Sequence, residues 1–334
     1  MRFSQLISTV DTHTEGEPTR IITSGVGYIG GKNMAERMHN FRRDLDHVRR
    51  ALMTEPRGHK DMYGCLLTQP IETQAHYGVI FMDNAGYMTM CGHGTIGVCT
   101  ALVELGMVEV DEPFTRVVLE SPGGLVEANV RVEGGRAKTV CFRNVPAFAE
   151  YVDAEVEVPG FGKMIVDVAY GGNYFVFFTA ESVNLKVHPK NIETIIDAGM
   201  KVMKAANRQL PVQHPDLKHI NHIYVATVCD KAKSPRAAYQ NVHVFSTRQF
   251  DRSPGGTGTS ARMAVLHAKG HLMLKKEIWA ESITGGLFKG RLLEETQVGD
   301  KKAVIPEITG SAHIIGFHHF VIDDKDRLRN GFLV

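Results

Sequence analysis

Apolar residues recur along this chain with two periods, and the alternation between them divides it into elements. Residues 5–10 and 20–28 are dense in β-branched side chains and read as strands, with 11–18 between them a polar loop closed by Gly16 and Pro18. Met34, Met38, Phe41, Leu45, Val48 and Leu52 fall at three- and four-residue steps, which predicts a helix over 32–53 whose many arginines form a solvated face. Residues 78–82 form a buried strand, and Asp83-Asn84-Ala85-Gly86 has turn chemistry. From Thr95 to Leu105 nearly every residue is small or apolar, with Gly106 as a stop. A helix apolar on almost all sides must be wrapped by other elements. Strands follow at 116–120, 125–131 and 138–142, which suggests a helix wrapped by antiparallel sheet.

The second half repeats this plan. Residues 163–170 and 174–179 read as strands, 190–207 as an amphipathic helix, and 222–228 and 241–246 as strands. A helix then runs to about Lys269, and 311–334 gives two more strands with a polar turn at 323–326. The repeat also has a local signature. Cys91-Gly92-His93-Gly94-Thr95 aligns with Gly255-Gly256-Thr257-Gly258-Thr259, and Leu102 and Gly106 with Leu266 and Gly270. Further on, Glu120-Ser121-Pro122-Gly123-Gly124-Leu125 is echoed by Glu281-Ser282-Ile283-Thr284-Gly285-Gly286-Leu287 at nearly the same offset. Two echoes at one spacing indicate duplicated halves. The expected domains are 1–150, with 311–334 returning to it, and 151–310.

Composition narrows the function classes. With 334 residues the chain is long for one compact core. A net charge of +1 without a basic block argues against nucleic acid binding. No apolar run approaches the ~20 residues of a membrane span, and the first residues turn polar too early for a signal peptide, so a cytoplasmic location is expected. The 5 cysteines are odd in number and scattered, without a CxxC, which fits free thiols better than disulfides or structural zinc. Cys65, Cys99, Cys141 and Cys229 read as core residues. His318-His319 is not a metal pair, because neighbours on a strand point to opposite faces.

The two glycine-rich turns carry the candidate chemistry. Each precedes a helix, where unpaired N–H groups and the helix dipole favour an anion, and glycine lets a ligand approach the backbone. Two such turns across a cleft could hold one carboxylate from both sides. Cys91 stands at the first of them, a position that favours thiolate, and could serve as nucleophile, general base or buried structural residue. A hydrolase would need a histidine base with an orienting partner, and none is evident beside His93. Neither turn has the lysine of a phosphate-binding loop, so nucleotide binding is only weakly indicated.

These residues resemble the proline racemase family, which includes proline racemases, hydroxyproline epimerases and trans-3-hydroxy-L-proline dehydratases. The matching motifs span nearly the whole chain: Asp11 to Pro18, Glu55 to Gly64, Met90 to His93, Val166 to Asn173, Asp251 to Pro254 with Gly256 to Thr259, and Asn330 to Phe332. The resemblance implies an α/β fold of two similar halves. Each would be a curled, mostly antiparallel sheet around a central helix, as in diaminopimelate epimerase, with the site in the interdomain cleft. It implies no cofactor and no metal, a small imino-acid substrate, and leaves room for a homodimer. Cys91 matches the first of two family residues that face opposite sides of the substrate Cα. Backbone N–H groups of Gly92, His93, Gly256 and Thr257 would hold the carboxylate, Asp251 would meet the ring nitrogen and His222 a ring hydroxyl. His13, Glu15, Arg57 and His59 fit scaffold hydrogen bonding.

The family's second cysteine falls at Gly255, which has no side chain to donate a proton. A two-base racemase would lose one acid here. The expectation is therefore one-base chemistry, in which Cys91 removes the α proton of trans-3-hydroxyproline and the 3-hydroxyl departs, helped by a water in the space above Gly255. Proline racemase or 4-hydroxyproline epimerase is the alternative, favoured by the racemase-like stretch Gly258 to Ala264, and a non-catalytic imino-acid-binding protein is a third.

Overall fold

The computed structural model describes residues 4–218, 220–245 and 247–334, which divide into two compact units, 1–142 with 311–334, and 143–310. In the first unit the chain runs β1 (Gln5–Thr14), β2 (Glu17–Ser24), α1 (Met34–Met53), β3 (Tyr63–Thr68), β4 (Tyr77–Asp83), β5 (Tyr87–Met88), α2 (Gly92–Glu104), β6 (Phe114–Ser121), β7 (Gly124–Glu133) and β8 (Arg136–Arg143). The second unit runs β9 (Phe148–Val158), β10 (Gly162–Tyr170), β11 (Tyr174–Thr179), α3 (Ile192–Gln209), β12 (Ile223–Asp230), β13 (Tyr239–Phe245), β14 (Gln249–Asp251), α4 (Gly256–Ala268), β15 (Glu277–Glu281), β16 (Leu287–Val298) and β17 (Lys301–Gly310). The chain then returns to the first unit as β18 (Ala312–Ile322), antiparallel to β1.

The two units share one topology. In the first, antiparallel pairing links β1 to β2, β3 to β4, β6 to β7 and β7 to β8, while β2–β3 and β4–β6 are parallel. In the second, β10–β11, β12–β13, β15–β16 and β16–β17 are antiparallel, while β11–β12 and β13–β15 are parallel. Parallel neighbours need a crossover, and α1 and α2 supply it in one unit, α3 and α4 in the other. The repeated Glu-Ser motif explains itself here. The carboxylate of Glu120 accepts the N–H groups of Ile71 and Glu72 at 2.6 and 3.0 Å, and that of Glu281 accepts those of Lys233 and Ser234 at 2.7 and 2.9 Å. Each glutamate pins the loop that follows the second strand of its unit's parallel crossover.

The wrapped-helix expectation holds. Every α2 residue from Gly92 to Val103 is buried, and α2 touches β1, β2, β3, β6, β7 and β18. In its unit α4 touches β9, β10, β11, β16 and β17. The outer helices are amphipathic, but the α1 arginines are not all solvated as expected: Arg37 and Arg49 are buried, and Arg49 pairs with Asp46 at 2.7 Å and donates to the Asp83 and Asn84 carbonyls at 3.0 and 2.7 Å. The α1 stripe of Met34, Phe41, Val48 and Leu52 joins a core with Ile7, Ile22, Ile80 and Met82, and Asn33 caps the helix by accepting the Glu36 N–H at 2.8 Å.

Several boundaries differ from expectation. Residues 11–18 are not a loop. They form the end of β1, a tight turn with Glu15 at φ 51° and Gly16 at φ 96°, and the start of β2. Their polar side chains read as loop chemistry, yet they are paired inside: Arg20 binds the Asp11 carboxylate at 2.8 Å, and the Thr12 hydroxyl donates to the Thr19 carbonyl. The second strand stops at Ser24, where Gly25 takes φ 91°. The α2 helix begins at Gly92, before the expected Thr95. Segment 311–334 gives one long strand, and its remainder makes only a bridge between Glu55 and Phe332. The expected strand at 241–246 is described to Phe245, its last residue lying outside the described residues.

Candidate active site

Cys91 is the N-cap of α2. It is extended (φ −143°, ψ 122°), 4% exposed, and its sulfur accepts the backbone N–H of Gly94 at 3.2 Å. A donated N–H and the positive end of the helix both favour negative charge on that sulfur. The other buried thiols lack such a setting: burial alone pushes Cys99 up to about 12 and drives Cys65 higher still, and burial raises Cys229. These three are core residues, as expected, and Cys141 is only half-buried.

Local packing fixes the turn around Cys91. The Thr95 hydroxyl donates to the Cys91 carbonyl at 2.8 Å, and the Thr14 hydroxyl, from the β1–β2 hairpin, donates to the His93 carbonyl at 2.9 Å. Tyr63 stands edge-on to the His93 ring with centroids 4.5 Å apart, and its hydroxyl donates to Met88. The nitrogens of His93 lie 3.5 and 3.6 Å from the sulfur. Burial lowers His93 to about 3, so near neutral pH it is an uncharged imidazole beside the thiol. Thr14 and Tyr63 belong to the sequence motifs, but nothing in their local pattern marks them as supports of this turn.

The motifs at 55–64 and 330–332 meet by backbone hydrogen bonds, Glu55 N to Phe332 O at 3.0 Å and Phe332 N to Glu55 O at 2.9 Å. Arg57 pairs with Asp326 at 3.5 Å, and the Arg57 carbonyl accepts from Arg20. His13 accepts the Gly16 N–H, Glu15 accepts the Ser311 hydroxyl, and the His59 ring accepts the Asp61 N–H. These contacts are scaffold contacts. His318 and His319 have separate partners, Asp11 and Ser8.

In the second unit Gly255 is the N-cap of α4, at φ 75° and ψ 111°, and no side chain among the described residues caps this helix. The first N–H groups of α4, including those of Gly256 and Thr257, therefore have no helical acceptor and no side-chain cap. The Gly171-Gly172 motif packs beneath: a Cβ at Gly171 would lie 2.4 Å from the Thr257 carbonyl. The place a side chain would take at Gly255 is filled. A Cβ there would lie 2.3 Å from Nε2 of His243, a β13 residue that is 2% exposed. Sequence reasoning passed over this histidine, although a lone polar ring inside the apolar strand Val242-His243-Val244 was its signal.

Asp251 ends β14, is buried, and its carboxylate accepts the Ser253 N–H at 2.7 Å. Burial raises it to about 6. His222 is exposed, lies just before β12 and stands 5.9 Å from the Tyr224 ring. Among the described residues no cluster of three or more His, Cys, Asp or Glu side chains could hold a metal, and no helix is long and apolar enough to cross a membrane.

Two units of one topology thus carry, at their central helix starts, a thiol that caps its own helix in one and a bare glycine in the other. A family model described as proline racemase matches residues 9–333. The chain is 46% identical over 334 residues to the proline racemase of Clostridioides difficile and 45% identical over 334 residues to the trans-3-hydroxy-L-proline dehydratase of Burkholderia ambifaria, with 100% of each chain covered. A hydroxyproline epimerase of Agrobacterium vitis, solved with bound trans-4-hydroxy-L-proline, superposes with TM-score 0.93 at 32% identity, over 100% of this chain and 96% of that one. The chain belongs to the proline racemase family, and it is an enzyme of the isomerase or lyase class.

Proposed function

We propose that this enzyme abstracts the Cα proton of a proline-type imino acid with Cys91 as its single protein base, and that its reaction is dehydration of trans-3-hydroxy-L-proline. The observation that carries the reading is the contrast between the two helix starts. Cys91 caps α2, whereas its counterpart Gly255 has no side chain and the space a side chain would take is filled by His243.

The steps balance with one base. The Cys91 thiolate takes the α proton, and charge builds on the carboxylate as an enolate. Backbone N–H groups of Gly92, His93, Gly256 and Thr257 bind that carboxylate, and their dipoles stabilise the added charge. The 3-hydroxyl, on the same ring face as the α hydrogen, leaves as water with the proton now held by the Cys91 thiol, which restores the thiolate, and the resulting enamine tautomerises to the cyclic imine pyrroline-2-carboxylate. Asp251 receives the ring ammonium and His222 a ring hydroxyl. No cofactor enters these steps.

Incubation with trans-3-hydroxy-L-proline, coupled to an imine reductase, tests the reading. Imine formation lost in Cys91→Ser is the expected result, and folded enzyme that forms none overturns it. A racemase or 4-hydroxyproline epimerase is the second reading, favoured by the 46% identity to a protein named proline racemase. It requires inversion at Cα, which chiral chromatography of proline and 4-hydroxyproline after reaction in deuterium oxide reveals.

A further inference from the structure

The two units allow a position-by-position comparison at their helix starts. In β4, Gly78 lies opposite Glu120 and Phe81 follows three residues on; in β13, Gln240 lies opposite Glu281 and His243 follows three residues on. Phe81 and His243 also pair with the short strands that precede each turn, at Met88 and Asp251. Each ring rests on the matching glycine of its helix: a Cβ at Gly94 would lie 2.8 Å from Phe81, and a Cβ at Gly258 would lie 2.2 Å from His243. One unit thus has Phe81 with a cysteine cap, and the other has His243 with a glycine cap.

The histidine differs from phenylalanine in what its nitrogens hold. Nε2 lies 2.8 Å from the Pro254 carbonyl, which only accepts, so Nε2 carries the hydrogen; Nδ1 then accepts from the Thr227 hydroxyl at 2.8 Å. The Asn241 amide and the Thr259 hydroxyl donate to the same carbonyl at 3.2 and 3.3 Å. In the first unit the threonine that matches Thr259, Thr95, donates to the carbonyl of the cap residue itself. The peptide before the second cap is therefore turned toward His243, and Gly255 takes φ 75° where Cys91 has φ −143°. Only glycine adopts that conformation without strain.

We propose that His243 is a specificity-determining positioning residue. It holds the Pro254 carbonyl, enforces a glycine at position 255 and fills the side-chain space there, so the second helix start offers a substrate backbone N–H groups and no acid or base. This rests on the reading that both helix starts serve one imino acid. His243 touches no reacting atom and acts through the turn.

The test is a cycle of Gly255→Cys, His243→Val, which empties the space of the ring, and the double variant, with His243→Phe as the comparison that keeps a ring there without its hydrogen bonds. Two readouts are taken, the unfolding midpoint and the stereochemistry of Cα deuterium exchange in proline. Gly255→Cys alone is expected to lower the midpoint by several degrees and to give no D-proline. The double variant is expected to recover most of that loss and to produce D-proline. A stable Gly255→Cys single variant that inverts proline overturns the proposal, as does a double variant no more stable than the single one, or a stable double variant that never inverts. Absence of any exchange in the wild type would remove the single-base reading instead, while the stability cycle would still decide whether His243 and Gly255 are coupled.

Discussion

Gly94 donates its backbone N–H to the sulfur of Cys91 across 3.2 Å, so the side chain proposed to take the substrate proton also caps its own helix. Base and cap can be separated by choice of substitution. Serine is a preferred N-cap but a far weaker base, so Cys91→Ser should fold with an unchanged midpoint and lose roughly 10²–10⁴-fold in Cα exchange. Cys91→Ala should lose the same activity and about 1 kcal/mol of stability besides. Proton NMR of substrate in deuterium oxide, with thermal unfolding alongside, reads both. Full exchange by the serine variant would exclude Cys91 as the base.

The sequence made some of this legible and hid the rest for physical reasons. The first central helix was plain, because apolar residues on almost every side after a glycine turn permit only a wrapped helix, and the second followed from its echo of that turn. Glu120 and Glu281 signalled the duplication, and each accepts two N–H groups from its own loop. The 11–18 hairpin was not legible, since its polar residues find partners in Arg20 and the His93 carbonyl that no local pattern indicates. Gly255 announced a missing side chain but not its cause. That cause, His243, lies on another strand and becomes visible only when strand register sets it against Phe81.

Asp251 offers a separate handle on binding. Its carboxylate accepts the Ser253 N–H at 2.7 Å, and an asparagine can keep that bond through its amide oxygen. Asp251→Asn should therefore fold, while loss of the charge proposed to meet the ring ammonium raises KM about tenfold or more, since hydrogen bonds to charged groups contribute about 1.5–3 kcal/mol. Burial raises this group to about 6, so wild-type KM should climb as pH falls through 6, and the asparagine variant should show no such rise. Steady-state kinetics between pH 5 and 8 decides it; an unchanged KM would leave Asp251 a turn residue only.

The Asp11–Arg20 pair carries scaffold energy. Both side chains are buried, the guanidinium binds both carboxylate oxygens, and it also donates to the Leu52 carbonyl at 2.8 Å. Arg20→Leu leaves the carboxylate without its cation and should cost about 3–5 kcal/mol, as breaking buried pairs does. Chemical denaturation should register that loss, and KM of the folded fraction should stay at the wild-type value. A raised KM would give this motif a direct part in binding.

Two buried imidazoles make stability depend on pH in a defined direction. Burial lowers His93 to about 3 and His243 to about 4, from 6.5. Below 6.5 the unfolded chain takes up these protons while the folded chain does not. The stability associated with the neutral rings is therefore present above pH 6.5 and lost as pH falls toward 4. Asp251 opposes this, because a carboxyl raised to about 6 binds its proton more readily when folded, and its contribution fades as pH rises through 6. Two histidine protons outweigh one carboxyl proton between pH 4.5 and 6, so these three groups together should lower stability as that range is descended. His243→Phe removes one of the three. Its denaturation free energy should vary with pH by about 1 kcal/mol per unit less than the wild type over that window. Urea unfolding at four or five pH values measures both slopes. Equal slopes would mean that His243 is protonated in the folded protein, which would break the Nδ1 acceptor role toward Thr227 on which the geometry of the second turn depends.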